Sequence, residues 1–374
     1  MANLTAAPNG KGVTRREFLA KGGTFGAAVA LSGMMPLRAA LAADARIAQT
    51  PLVDKGFAAV RKIGEGLYAT ISDESKGIQT MCNGGFLAGK DAALLIEGYV
   101  TTAGAAFQYD ALRLASQVPV KAALNTHYHF DHSLGNAVYG AKDIPVWAHA
   151  KVASRMAESY LPIQGLPRVA MMGAVEKQAK ETASEVVRQH LQGDLGMMGA
   201  VYDLVNAAVL SMPNHPLGPE KLPLKVDLGG LEAILEHFPG HSGTDIIVRV
   251  PEQNVVYAGD LIFNTVYPVC FDAQATMSGW RATLKTFASW DKDTLFVPGH
   301  GPLCGQEGVR NLREVFDDMA EQAEKLHKAG VPRAEAEHRY VVPEKLKGLT
   351  IYAWGFTIGP AIAKLYEELD NSKH

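Results

Sequence analysis

Thr126-His127-Tyr128-His129-Phe130-Asp131-His132 places three imidazoles and a carboxylate within six residues. In an extended segment alternate side chains share a side, so His127 and His129 point together, while Asp131 and His132 follow in a turn that can present a second set of ligands. A polar surface loop would scatter its histidines, so the spacing predicts half of a two-metal site. Three later segments each end on chemistry. Phe238-Pro239-Gly240-His241-Ser242-Gly243 sets His241 in a glycine-flanked turn. Val255 to Asp260 is an apolar run closing on a carboxylate, and Leu295 to His300 is another closing on an imidazole.

The order H-x-H-x-D-H, G-H, G-D, G-H resembles that of the metallo-β-lactamase-fold superfamily, matched at every position from about Val60 to Leu326. The resemblance implies an α/β fold, an αββα four-layer sandwich with its site at one edge where strand-end loops converge. It also implies that His127, His129 and His241 hold one metal and Asp131, His132 and His300 a second. Asp260 would bridge them, and Asp131 is assigned a catalytic role as well. Imidazole and carboxylate without thiolate suit zinc, two ions per chain, with iron or manganese as alternatives. Two such ions share a water whose pKa falls to roughly 7, so a hydroxide is available without a separate base. Counting two divalent ions, two aspartates and a hydroxide leaves a charge of about +1, suited to stabilising an oxyanion.

The resemblance is specific for fold and site and not for substrate. The leading expectation is a dinuclear zinc hydrolase acting on an ester, thioester, lactone or lactam, with a ligand set similar to glyoxalase II and lactonases. The alternatives are a β-lactamase proper and a mononuclear-iron sulfur dioxygenase. Flavodiiron proteins carry glutamate where this chain has His129. Many relatives have aspartate where this chain has Glu97, and Asp245, four residues after His241, is expected to orient a ligand ring. His149, His190, His215, His237 and His327 lack ligand spacing and read as structural or exposed.

The elements that must position these groups read as short apolar strands at Gly66–Ile71, Met81–Ala88, Ala92–Glu97 and Val120–Asn125, with a helix over Thr101–Gln117. The theme repeats in strands at Leu231–His237, Thr244–Val250, Asn254–Ala258 and Thr294–Val297, with a helix over Ser278–Trp290. Gly305–Gly330 and Thr350–Leu369 read as closing amphipathic helices. Residues 150–225 form an insertion with no strand pattern, a helix over Val175–Leu210, and six of the chain's twelve methionines. It is expected to be a lid, a homodimer face or simple packing on the sandwich. Tyr267, Phe271 and the inserted methionines are the expected substrate-pocket walls.

The 374-residue chain has 47 % hydrophobic residues and a net charge of −3, an ordinary globular composition with no basic run in its body. That disfavours a nucleic-acid partner and leaves a small-molecule substrate. Cys82, Cys270 and Cys304 show no C-x-x-C spacing and read as small buried groups. Residues 1–42 read as a signal peptide. Thr14-Arg15-Arg16-Glu17-Phe18-Leu19 resembles the twin-arginine export signature, followed by a short apolar stretch and the small-residue site Ala40-Leu41-Ala42. The stretch is shorter than the roughly twenty residues that span a bilayer, so no anchor is expected after cleavage and the address is the periplasm. The main domain is expected over 43–330, with a helical extension over 331–374.

Overall fold

The computed structural model describes residues 44–371, so the expected signal peptide lies outside the described residues. Eight strands form one sheet in chain order: β1 (Val53–Asp54), β2 (Ala58–Gly64), β3 (Leu67–Ser72), β4 (Gly84–Ala88), β5 (Ala93–Ile96), β6 (Val120–Leu124), β7 (Val146–His149) and β8 (His215–Leu217). Neighbours are antiparallel as far as β5 and parallel from β5 to β8. The second sheet has β9 (Leu224–Asp227), β10 (Glu232–His237), β11 (Ile246–Val250), β12 (Val255–Phe263) and β13 (Leu295–His300), in the order β13-β12-β11-β10-β9. Only its β12–β13 pair is parallel. Parallel neighbours need a crossover. Helix α1 (Thr102–Ala115) links β5 to β6, its start capped by the Thr101 hydroxyl accepting from the Gly104 N–H.

Strand alternation decides the layers. Leu94 and Ile96 of β5 face Leu235, Val248 and Val297 of the other sheet. Ala93 and Leu95 face outward onto Phe107, Ala111 and Leu112 of α1. The outer face of the second sheet is covered by α5 (Met277–Ala288), α6 (Gln306–Lys328) and α7 (Ile358–Asn371). Val256 and Ala258 there meet Trp280, Phe287, Phe316 and Ile362 in one buried cluster. The result is the expected αββα sandwich.

Three stretches differ from expectation. The insertion holds three helices, α2 (Val152–Tyr160), α3 (Arg168–Glu181) and α4 (Glu185–Ala207), and returns through β8 rather than lacking strands. A Ser184 side chain accepting from Val187 N–H sets the start of α4, while β8 is too short and too exposed to show alternation. The last helix begins at Ile358, not Thr350. Residues 350–357 instead form an irregular strap anchored by a bridge between Thr350 and Val266. Strand β12 runs past Ala258 to Phe263, with breaks in its register against β13 on either side of Gly259.

Candidate metal centre

Strand β6 stops at Leu124 and the chain turns into the loop that carries His127 and His129. A single helical turn, Phe130–Ser133, follows, and the Ser133 hydroxyl donates to the carbonyls of Tyr128 and His129, pinning the loop. His241 sits in the turn between β10 and β11. Asp260 projects where β12 departs from regular pairing, and His300 ends β13. The close approach of the strands there depends on glycine. A Cβ on Gly299 would lie 1.9 Å from Asp260 Oδ1, and Gly259 has φ of +51° against the side chain of Thr126.

The seven groups fall into two buried clusters: His127, His129, His241 and Asp260, and Asp131, His132 and His300. In the first, His129 Nδ1 and His241 Nε2 are 2.8 Å apart, and Asp260 Oδ2 lies 3.3 Å from His241 Nε2 and 3.8 Å from His127 Nε2. In the second, Asp131 Oδ2 lies 3.1 Å from His300 Nε2 and 3.4 Å from His132 Nε2. The other oxygen of Asp260 faces this second cluster, 3.1 Å from His132 Nε2 and 3.5 Å from His300 Nε2.

His127 Nε2, His132 Nε2 and Asp260 Oδ1 are buried without a hydrogen bond. Leaving such atoms unsatisfied costs about 1–3 kcal/mol each, so the arrangement fits ions seated among them. Burial pushes His127 well below the ordinary histidine range and His241 down to about 3, which keeps their lone pairs free. Burial opposes charge on Asp131 and Asp260, yet the facing rings of His132 and His300, themselves held well above the ordinary histidine range by the acids around them, hold both carboxyls well below their usual range.

Each ring is held from behind, as ligand imidazoles require. Thr126 Oγ1 is 3.1 Å from His127 Nδ1, and Val269 O is 2.9 Å from His241 Nδ1. Glu97 Oε1 is 3.1 Å from His132 Nδ1, close as a charge pair although that nitrogen makes no hydrogen bond, and accepts from the Thr126 hydroxyl at 2.6 Å, so the longer side chain at that position still reaches the site. Asp245 does not orient a ring. Its carboxylate accepts from the N–H and hydroxyl of Ser242, holding the His241 turn, and burial raises it to about 6.

Two supports were not anticipated. Asp272 Oδ2 lies 3.3 Å from His129 Nε2 and accepts from the Tyr128 hydroxyl and from Arg155 of α2. The Tyr352 hydroxyl of the strap lies 3.2 Å from His300 Nδ1 and donates to Glu74. Neither stands at ligand spacing. The one local signal was Tyr128, which alternates with the two histidines and so must face the other way.

Above the clusters the wall is apolar: Met81, Met197 of α4, Val269, Phe271 and Phe356 of the strap. Phe271 stacks on His129 with ring centroids 4.9 Å apart. Tyr267 is no wall residue. It is fully buried in the core and meets the Tyr340 hydroxyl at 3.1 Å. Of the insertion's methionines, Met197 reaches the pocket, while Met156 and Met172 are buried elsewhere. The three cysteines are buried and free.

Fold and site together define a two-sheet α/β protein with a candidate dinuclear metal centre at the sandwich edge. The family model described as the metallo-beta-lactamase superfamily matches residues 77–300, and the chain belongs to that superfamily. Metallo-beta-lactamase IND-1 of Chryseobacterium indologenes is 21 % identical over 211 residues, 56 % of this chain and 66 % of that protein. An uncharacterized protein of Mycobacterium tuberculosis is 24 % identical over 117 residues, so the match spans 50 % of its length and 28 % of this chain. Among solved structures, a double mutant of the sec-alkyl sulfatase PisA1 superposes with a TM-score of 0.56 at 14 % identity, covering 83 % of this chain and 50 % of the sulfatase.

Proposed function

We propose that the protein is a dinuclear zinc-dependent hydrolase of ester, thioester, lactone or lactam carbonyls. His127, His129 and His241 would hold one ion and Asp131, His132 and His300 the other, with Asp260 between them. Bound ions supply a hydroxide at neutral pH and an electrophile for the carbonyl oxygen. The chain's own residues prepare that chemistry. Burial keeps His127 and His241 neutral, the protons that Asp131 and Asp260 hold on His132 and His300 are the charge that ions in the second cluster would replace, and Asp272, Glu97 and the Val269 carbonyl stand behind the rings. Phe271 and Met197 line the approach to the site.

The observation that carries the reading is Asp260, whose two oxygens face different clusters at 3.3 and 3.1 Å. Export to the periplasm belongs to the same proposal and rests on the twin-arginine segment around Arg15 and Arg16. Metal analysis of protein purified without added metal, with a turnover screen of esters, lactones and cephalosporins, tests it. About two zinc ions per chain with hydrolysis of at least one class supports the reading; one iron per chain, or no hydrolysis, refutes it.

A further inference from the structure

Resting on that hydrolase reading, we infer that the substrate carries an uncharged aliphatic chain on its carbonyl and bears no carboxylate at the chain's far end. Apart from the candidate ligands and Tyr352, the pocket is lined by Met81, Phe130, Met197, Val269, Phe271 and Phe356, with no lysine or arginine among them. Arg155, which stands behind the His129 side of this wall, is paired with an acid through one guanidinium nitrogen, while its Nε is buried without a hydrogen-bond partner. Its guanidinium donates to Asp272 at 3.0 Å and to the Tyr128 hydroxyl at 2.9 Å, and it lies over the Tyr128 ring.

Two further groups behind the walls are acidic. Glu74 accepts from the Tyr352 hydroxyl at 2.9 Å, and Asp194 accepts from the Gly355 N–H at 2.6 Å, directly beneath the strap that carries Phe356. A remote carboxylate entering here would lose its water without gaining a cation and would face these acids. An alkyl chain would be removed from water onto thioether and aromatic surfaces. The space open to water between these walls is about 30 Å³, room for roughly two waters. A chain must therefore press Met197 and Phe356 aside. An unbranched thioether from one element and a half-buried ring on an irregular strap can yield in that way.

The test uses the metal-loaded protein and two readouts. Titration calorimetry with non-hydrolysable methyl ketones, from 2-hexanone to 2-decanone, is expected to show affinity rising about fourfold for each added methylene. Ketones of the same length ending in a carboxylate are expected to bind at least about tenfold more weakly. For p-nitrophenyl esters from acetate to octanoate, kcat/KM is expected to rise with length. Met197→Ala and Phe356→Leu should each flatten both series with metal content unchanged. A flat ketone series, equal binding of the carboxylated ketones, or variants that leave both slopes intact would overturn the inference. Chain-dependent ketone binding without hydrolysis of any ester would instead sink the hydrolase reading and leave the ligand class standing.

Discussion

Asp260 shows how one carboxylate can organise a whole site, since each of its oxygens faces a different group of imidazoles. Asp260→Ala and His241→Ala are expected to lower bound metal and reduce turnover by at least about a hundredfold. Either variant retaining two ions and full turnover would refute the ligand set. A subtler test comes from Gly299, where a Cβ would stand 1.9 Å from Asp260 Oδ1. Gly299→Ala must displace that carboxylate, so metal content and turnover should fall together, the latter by about ten- to a hundredfold, while the circular-dichroism spectrum stays unchanged. Normal metal content in this variant would contradict the steric argument. At this scale the seven candidate ligands were legible because four are packed into one short motif, two close apolar runs and one sits in a glycine-flanked turn. The groups behind them were not. Asp272 reaches His129 from 143 residues away, and no spacing rule joins two residues that meet only through the packing of separate loops.

The elements were readable where burial is one-sided or a helix has a clear apolar face. Strand β10 and helices α1 and α5 lie within a few residues of their expected bounds. The insertion was harder, because α3 is mostly exposed and leans on α4, leaving it no continuous apolar stripe. The strap was read as helix because it is followed by one, whereas its shape is dictated by Val266, Glu74 and Asp194, all distant in sequence.

Asp194 joins α4 to that strap. Burial raises its carboxyl to about 6 from an ordinary 3.8, so the folded protein binds this proton more tightly than the unfolded chain does. The group is therefore neutral and without penalty below the lower value, and its cost to stability grows as pH rises to about 6 and stays at higher pH. Asp194→Asn, whose amide oxygen can still accept from Gly355, should gain about 2 kcal/mol at pH 8, a few degrees in melting temperature. The gain should shrink toward zero at pH 4. Melting curves at both pH values check this, and a gain equal at both would exclude the carboxyl as its origin.

For the whole molecule, a sandwich was legible from strands in two similar halves and its αββα layering from the resemblance carried by the ligand motifs, while the expected address and processing of the chain rest on its first residues alone. Changing Arg15 and Arg16 to Lys is expected to abolish export, and the exported form is expected to begin near Ala43. Mass spectrometry finding an intact N-terminus outside the cytoplasm would refute this.

The wide spacing of the seven candidate ligands also governs how metal and folding depend on each other. They are drawn from positions 127 to 300, and only the sandwich brings them together. An unfolded chain would have to close several long loops to gather the full set, at a cost in entropy for each. It can offer an ion little more than the local His127–His132 motif. Free zinc should thus act as a ligand of the native state almost exclusively, adding about 2.7 kcal/mol to stability when it stands a hundredfold above its dissociation constant. The melting temperature should climb with the logarithm of zinc concentration, and a chelator should reverse the climb. In a compartment where free zinc rises and falls, the lifetime of the fold itself would follow the metal supply.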